Sequence, residues 1–267
     1  MTRFSLAAPR REALGFALPF GARLNVGPID HHKHGRIFEY PQGMTDTSAS
    51  WIEALRGKFV VFDGPDGSGK TTQYRRLLTC AEEAGVAVCE VREPGGTHIG
   101  EQIRSVLLHP DNEDMDLWCE MMLYMASRAQ LVAERIRPAL EAGELVLADR
   151  FISSTLAYQG TAGGLPVADI LKVGQVALRD CWPDIVVVFD VDERTANQRM
   201  NPLLRQREFD TDLDRIEMRG AAYHRKVRQG YLDQAAADPK RYLVIDATKT
   251  EDEVFAALRT GLIEKTV

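Results

Sequence analysis

Residues 59–71 read Phe59-Val60-Val61-Phe62-Asp63-Gly64-Pro65-Asp66-Gly67-Ser68-Gly69-Lys70-Thr71, an apolar run that breaks into a glycine-rich turn and then into a helix. An unbroken run of Val and Phe suits a parallel strand buried on both faces. Gly64, Gly67 and Gly69 lack the Cβ atoms that would stop backbone N–H groups from closing around an anion. The helix starting near Lys70 points its positive dipole end at the same place. In such a loop the lysine reaches the β- and γ-phosphates and the next hydroxyl ligates Mg²⁺, which gives Lys70 and Thr71 those parts here. The nucleotide-binding segment is therefore Gly64, Pro65, Asp66, Gly67, Ser68, Gly69, Lys70, Thr71 and Thr72.

Outward from this segment, strands and helices alternate from Trp51 onward, the pattern of a parallel sheet covered by helices on both faces. Strands are expected at 58–63, 86–91, 144–148, 184–190 and 241–245. Helices are expected at 70–84, 98–108, 115–142, 165–180, 212–236 and 251–264. The class is thus α/β, a P-loop NTPase fold with a five-stranded parallel sheet. A chain of 267 residues, 45% hydrophobic and 27% charged, is long enough for one α/β domain of roughly 200 residues plus extras.

Residues 1–50 differ from the remainder, 51–267. Arg3, Arg10, Arg11 and Arg23 face only Glu12 over the first stretch, and Pro and Gly interrupt every short apolar run. No helical or strand period is sustained, so a poorly ordered extension is expected. The Arg-rich start weakly resembles a transit peptide, and Met44 is an alternative initiator. His31-His32-Lys33-His34 lacks a second ligand cluster and is not read as a metal site. A net charge of −6 argues against a surface that coats nucleic acid. Cys80, Cys89, Cys119 and Cys181 are scattered, which suggests neither a zinc site nor a disulfide framework and fits a reducing cytoplasm. No apolar run approaches the roughly 20 residues of a membrane span.

A phosphate loop alone does not separate a kinase from a GTPase, a motor or a passive nucleotide-binding module. No N-K-x-D element follows a strand, which disfavours the GTPase. Open α/β sheets bind ligands at the C-terminal ends of their strands, and there a second set of residues collects. Arg92-Glu93-Pro94-Gly95-Gly96-Thr97 is a forced tight turn that leaves Arg92 facing the crevice, or else on the surface paired to Glu93. Tyr124 and Arg128, four apart, share a helix face with Met121 and Leu131. An arginine on an apolar stripe needs a partner. A base stacked on Tyr124 would supply one, whereas a snorkelling Arg beside a core Tyr is the plainer alternative. Asp149 ends a strand where it can bind Mg²⁺ through water, and Arg150 can clamp a second phosphate, unless the two simply pair. Arg199, Arg205 and Arg207 flank a loop near Asp210, Asp212 and Asp214, which reads as a cationic lid for phosphoryl transfer or as a solvated loop of mixed charge.

Over 57–265 the chain resembles the thymidylate kinases, P-loop enzymes that phosphorylate dTMP. The resemblance rests on F-D-G-P-D-G-S-G-K-T-T-Q, R-E-P-G-G-T-x-I-G-E-x-I-R, S-R-A-Q after Tyr124, D-R-F-I-S-S-T-L-A-Y-Q-G and L-D-R-I-E. It implies ATP and dTMP as substrates, Mg²⁺ and a homodimer packed through helices. It places Asp66 near the sugar 3′-hydroxyl and magnesium, and Arg92 and Arg150 near the dTMP phosphate. Tyr124 would stack on thymine, Arg128 would bond its O4, and Thr155 and Gln159 would complete the base contacts. Tyr158 would press on C2′. Gly67 stands where other members carry a loop arginine, so Arg205 and Arg207 mark the lid-arginine, bacterial-type arrangement. Lys70, Arg150, Arg205 and Arg207 would stabilise in-line transfer to a phosphate already largely ionised near pH 7. Another nucleotide kinase, or a binding module without catalysis, are the alternatives.

Overall fold

A parallel sheet in the order β2-β3-β1-β4-β5 organises the chain in the computed structural model, which describes residues 50–196, 198, 199, 215, 216 and 219–266. Its strands are β1 (Phe59–Asp63), β2 (Val88–Arg92), β3 (Leu145–Asp149), β4 (Ile185–Asp190) and β5 (Tyr242–Asp246). The central strand β1 is buried along its whole length, as the run of Phe and Val requires. Its side chains alternate between two apolar layers. Phe59 and Val61 pack with Val146, Ala148, Val186 and Val188 beneath helices Leu117–Leu131 and Val167–Leu178. Val60 and Phe62 pack on the other face with Leu147, Val187 and Phe189 beneath helices Lys70–Glu83 and Glu251–Thr266. Each fully buried Phe contributes about 1.5–3 kcal/mol. The Phe62 ring also meets Phe189 and Tyr74 edge-on, at 5.0 and 6.0 Å.

Register levels the strand ends. Phe62 pairs with Asp149, Arg92 also pairs with Asp149, and Asp63 pairs with Val188. The charged ends of β1, β2 and β3 therefore emerge side by side at the C-terminal edge, where the strand order reverses about β1.

Two expected helices differ in detail, and one helical segment is additional. The span 115–142 is interrupted: helix Leu117–Leu131 passes through a π-helical turn, Val132–Ile136, before Arg137–Glu141. Pro138 is the cause, because it offers no N–H and crowds the carbonyl four residues back, and widening one turn relieves both problems. The helix expected from 212 begins at Ala221, after Gly220. Arg215 and Ile216 lie in a turn before it. Residues 152–162, to which no helix is assigned from sequence, form a short helix Ile152–Thr155 continued by π-helical Leu156–Ala162. Ser, Thr and Gly are weak helix formers, and this segment is held by packing against helix Ala221–Ala237. The extension expected over 1–50 falls outside the described residues, apart from Ser50. Trp51, Ile52 and Leu55 are already in the core.

Candidate active site

The loop after β1 folds as a cradle because its glycines accept geometry that other residues resist. Gly64 has φ 131°, and a Cβ there would lie 2.5 Å from Phe189 O. Gly69, φ 84°, precedes the helix with no side chain capping it, so the helix start is open to an anion. Lys70 is buried. Its Nζ donates to Gly64 O at 2.9 Å and Pro65 O at 3.0 Å and stands 3.9 Å from Asp66. Burial, reinforced by Arg150, pulls the Lys70 ammonium down to about 8 against the attraction of Asp66, Asp149 and Asp63. The cavity over this loop is about 550 Å³ and is lined by loop residues together with Arg199, Ala247, Lys249 and Glu251. Arg199 donates to Ala247 O at 2.7 Å. It thus belongs to the wall of the phosphate-loop cavity, and sequence spacing had assigned it only to the flank of a loop.

A second cavity of about 240 Å³ opens beside the first. Asp66, Asp149 and Arg150 line both. Arg150 sits in the left-handed backbone region, φ 66°, a conformation costly for a residue with a Cβ and seen where a side chain must be aimed. Its Nη2 meets Asp66 Oδ1 at 2.5 Å, while Nη1 contacts Tyr231 Oη at 3.2 Å and Ser154 Oγ at 3.3 Å. The alternative in which Arg150 pairs with Asp149 is not what forms. Fully buried Asp63 fixes this group, accepting from Ser153 Oγ at 2.5 Å, Ser154 Oγ at 2.6 Å and Tyr231 Oη at 2.8 Å. Asp149 Oδ1 and Ser68 Oγ are buried and bond to nothing among the described residues. A buried carboxylate oxygen left without a donor is costly, and a cation held with nucleotide phosphates would satisfy it. No group of three or more His, Cys, Asp or Glu among the described residues is placed to hold a metal by itself. Mg²⁺ carried by one carboxylate and substrate phosphates needs no such cage, so the residues present fit that ion.

The smaller cavity gathers Arg92, Tyr124, Arg128, Thr155, Tyr158 and Gln159 from three separate stretches of chain. Two expectations about partners are corrected. Arg128, 1% exposed, has its partner within the protein: Nε lies 2.8 Å and Nη2 2.6 Å from Glu93 Oε2, and Nη2 also donates to Thr155 Oγ1 at 3.0 Å. A base is therefore not what offsets the burial of this charge. Burial pushes the Glu93 carboxyl up to about 7, against the pull of Arg128. Arg92 pairs with Glu101 at 3.0 Å and not with Glu93, while Glu101 also accepts from Gly96 N at 2.7 Å. The arginine at the end of β2 thus reaches the cavity held by the next helix. Arg205 and Arg207 lie outside the described residues.

Sequence reasoning did not assign Glu93, Asp63, Tyr231 or Lys249 to the site. Glu93 and Asp63 stand inside quoted motifs, where an acid adjoining an arginine or a glycine turn was a usable signal. Tyr231 and Lys249 carry no local signal, being brought in by helix Ala221–Ala237 and by the loop after β5.

Comparison with known proteins bears directly on this geometry. A family model described as thymidylate kinase matches residues 62–258. A thymidylate kinase of Geobacillus sp. (strain WCH70) is 43% identical over 211 residues, covering 79% of this chain and 98% of the relative. One from Deinococcus radiodurans is 43% identical over 210 residues, covering 79% and 98%. The crystal structure of thymidylate kinase from Ehrlichia chaffeensis superposes with a TM-score of 0.59 at 30% identity, covering 76% of this chain and 96% of that one.

Proposed function

This chain belongs to the thymidylate kinase family, whose members phosphorylate dTMP to dTDP with ATP, and we propose that its two cavities divide the substrates between them. ATP would occupy the larger, over the phosphate loop, and dTMP the smaller. One observation carries the assignment: Asp66, Asp149 and Arg150 form a wall common to both cavities. Donor and acceptor phosphates would meet there.

In this reading Lys70 leaves Gly64 O and Pro65 O for the donor phosphates. The acceptor phosphate sits between Arg92 and Arg150, each already oriented by a carboxylate, Glu101 and Asp66. The base would stack on Tyr124, with Arg128 directed at its O4 and Thr155 and Gln159 beside it. Tyr158, buried with its ring centroid 5.4 Å from the Arg150 guanidinium carbon, would bear on C2′. When bound through Thr71 and Asp149, Mg²⁺ would neutralise charge on the bridging phosphates. Catalysis then lies in Lys70, Arg150, Arg205 and Arg207, with no side-chain base required.

Exposed apolar side chains on three adjacent helices, Ile99, Val106, Trp118, Met122, Leu171 and Val176, support a homodimer packed through that face. We also place the protein in the cytoplasm and treat residues 1–50 as an extension outside the kinase domain 51–267. In support, the family match begins at residue 62.

The test of substrate is a coupled assay of the full chain with dTMP, dUMP and dCMP. Loss of one methyl in an apolar pocket is worth about 10–200-fold, so dUMP should be used that much less well and dCMP worse still. Equal use of dCMP and dTMP would remove the thymidylate assignment. For the lid, Arg205→Ala combined with Arg207→Ala should lower kcat by about 10²–10³ with a smaller change in KM. Near-normal kcat in that double variant would place the transition-state charge partner elsewhere. A third result concerns pH. ATP phosphates favour the charged Lys70, whose free-state value is drawn down to about 8. Thus kcat/KM for ATP should be level below that pH and fall by roughly tenfold per unit above it. A profile flat to pH 10 would show that Lys70 keeps its ordinary basicity.

A further inference from the structure

Behind the base end of the smaller cavity lies a carboxylate that does not itself line it. Glu120, on helix Leu117–Leu131, is fully buried, and three donors converge on it. Gln159 Nε2 meets Oε1 at 2.7 Å, while Arg215 Nη2 and Arg219 Nη2 meet Oε2 at 2.5 and 2.7 Å. The two arginines are themselves anchored. Arg215 Nε donates to Leu107 O at 3.1 Å, and Arg219 reaches Tyr223 Oη, which donates to Tyr158 O at 2.7 Å. Both Glu120 oxygens are turned to N–H donors, two of them on guanidinium groups, and so serve as acceptors. The Gln159 amide can therefore face Glu120 only with its NH₂ end. The carbonyl end is left for the cavity that Gln159 lines.

We propose that Glu120 is a positioning residue for base selection, acting through Gln159. By taking the NH₂ end of the amide, it leaves Oε1 to accept from a base that carries a ring N3–H, and it sets acceptor against acceptor for a base whose N3 is unprotonated. Thymine and uracil are of the first kind, cytosine of the second. The proposal rests on the reading of this cavity as the dTMP site. It predicts a selectivity that the methyl pocket does not produce. Arg215 and Arg219 hold the Glu120 carboxyl by its other oxygen, so the orientation of Gln159 is tied to the turn that precedes helix Ala221–Ala237.

The test is Glu120→Gln in the full chain, assayed with dTMP, dUMP and dCMP. A neutral amide at this position can donate as well as accept, so Gln159 is free to turn over. The ratio of kcat/KM for dTMP over dCMP should fall by about 10–100-fold, the range expected when a buried group is left facing its own kind. The change should lie chiefly in KM. The dTMP to dUMP ratio should stay within about twofold, because both bases carry N3–H; a general loosening of the pocket would degrade both ratios together. Gln159→Leu provides a second arm that does not depend on how Glu120→Gln folds: it should lower the dTMP to dCMP ratio and spare the dTMP to dUMP ratio. In that background Glu120→Gln should add nothing further to selectivity. An unchanged dTMP to dCMP ratio in Glu120→Gln or in Gln159→Leu overturns the proposal. If the unmutated enzyme fails to phosphorylate dTMP, the dTMP reading itself falls, a result separable from an unmutated enzyme that prefers dTMP beside variants that keep its selectivity.

Discussion

Lys70→Ala is expected to lower kcat for phosphoryl transfer by about 10³-fold or more, since it removes a cation that acts on charge developing in the transition state. The loss should fall on kcat more than on KM, because an interaction stronger in the transition state than in the ground state lowers the barrier itself. Folding should be nearly untouched. Among the described residues the ammonium bonds only to the carbonyls of Gly64 and Pro65 and stands 3.9 Å from Asp66, and burial already disfavours its charged form. Steady-state kinetics beside a thermal melt separates the two effects. A kcat within tenfold of the unmutated enzyme would mean that Lys70 only shapes the loop.

The second large effect concerns stability. Glu93→Ala leaves the guanidinium of Arg128 buried without its carboxylate. Breaking a buried pair in this way costs about 3–5 kcal/mol, and for a domain of this size that corresponds to a drop in Tm of roughly 6–20 °C. Replacing both partners, Glu93→Leu with Arg128→Met, should recover most of the loss, because the cost lies in the uncompensated charge more than in the missing contact. Use of dTMP should remain impaired in the stable double variant if Arg128 faces the base. A Glu93→Ala protein that melts within about 2 °C of the parent would show that water or another acceptor reaches Arg128. A double variant with full dTMP activity would remove Arg128 from the base contacts while leaving its structural role intact.

The pair also shows where reading along the chain runs out. The i, i+4 spacing of Tyr124 and Arg128 identified a charge on an apolar stripe and the need for a counter-charge. It did not say that the counter-charge stands 35 residues earlier, at the end of a strand on another element. For the same reason the alternatives that adjacency offers, Arg92 with Glu93 and Arg150 with Asp149, are not the pairs that form. Neighbouring residues at a strand end point to opposite faces. Their partners come instead from other elements, Glu101 of the next helix for Arg92 and Asp66 of the phosphate loop for Arg150. Helix 152–162 is not legible along the chain because Ser, Thr and Gly dilute the period that would reveal it, and because packing supplies what propensity does not.

Local sequence patterns are enough for the class of fold, the phosphate loop and the charged strand ends. These are local properties: side-chain volume and branching set strand and helix, glycines permit the turn, and the end of a buried strand must emerge at one edge of a parallel sheet. Tertiary structure alone decided which charge meets which. Only the packed sheet places Asp66, Asp149 and Arg150 between two cavities, buries Glu93 against Arg128, and brings Arg215 and Arg219 to Glu120 across about a hundred residues of chain. The reason is physical: a buried charge is satisfied by whatever the fold brings within about 3 Å of it, and that neighbour is set by packing between elements distant in sequence, which no local pattern encodes.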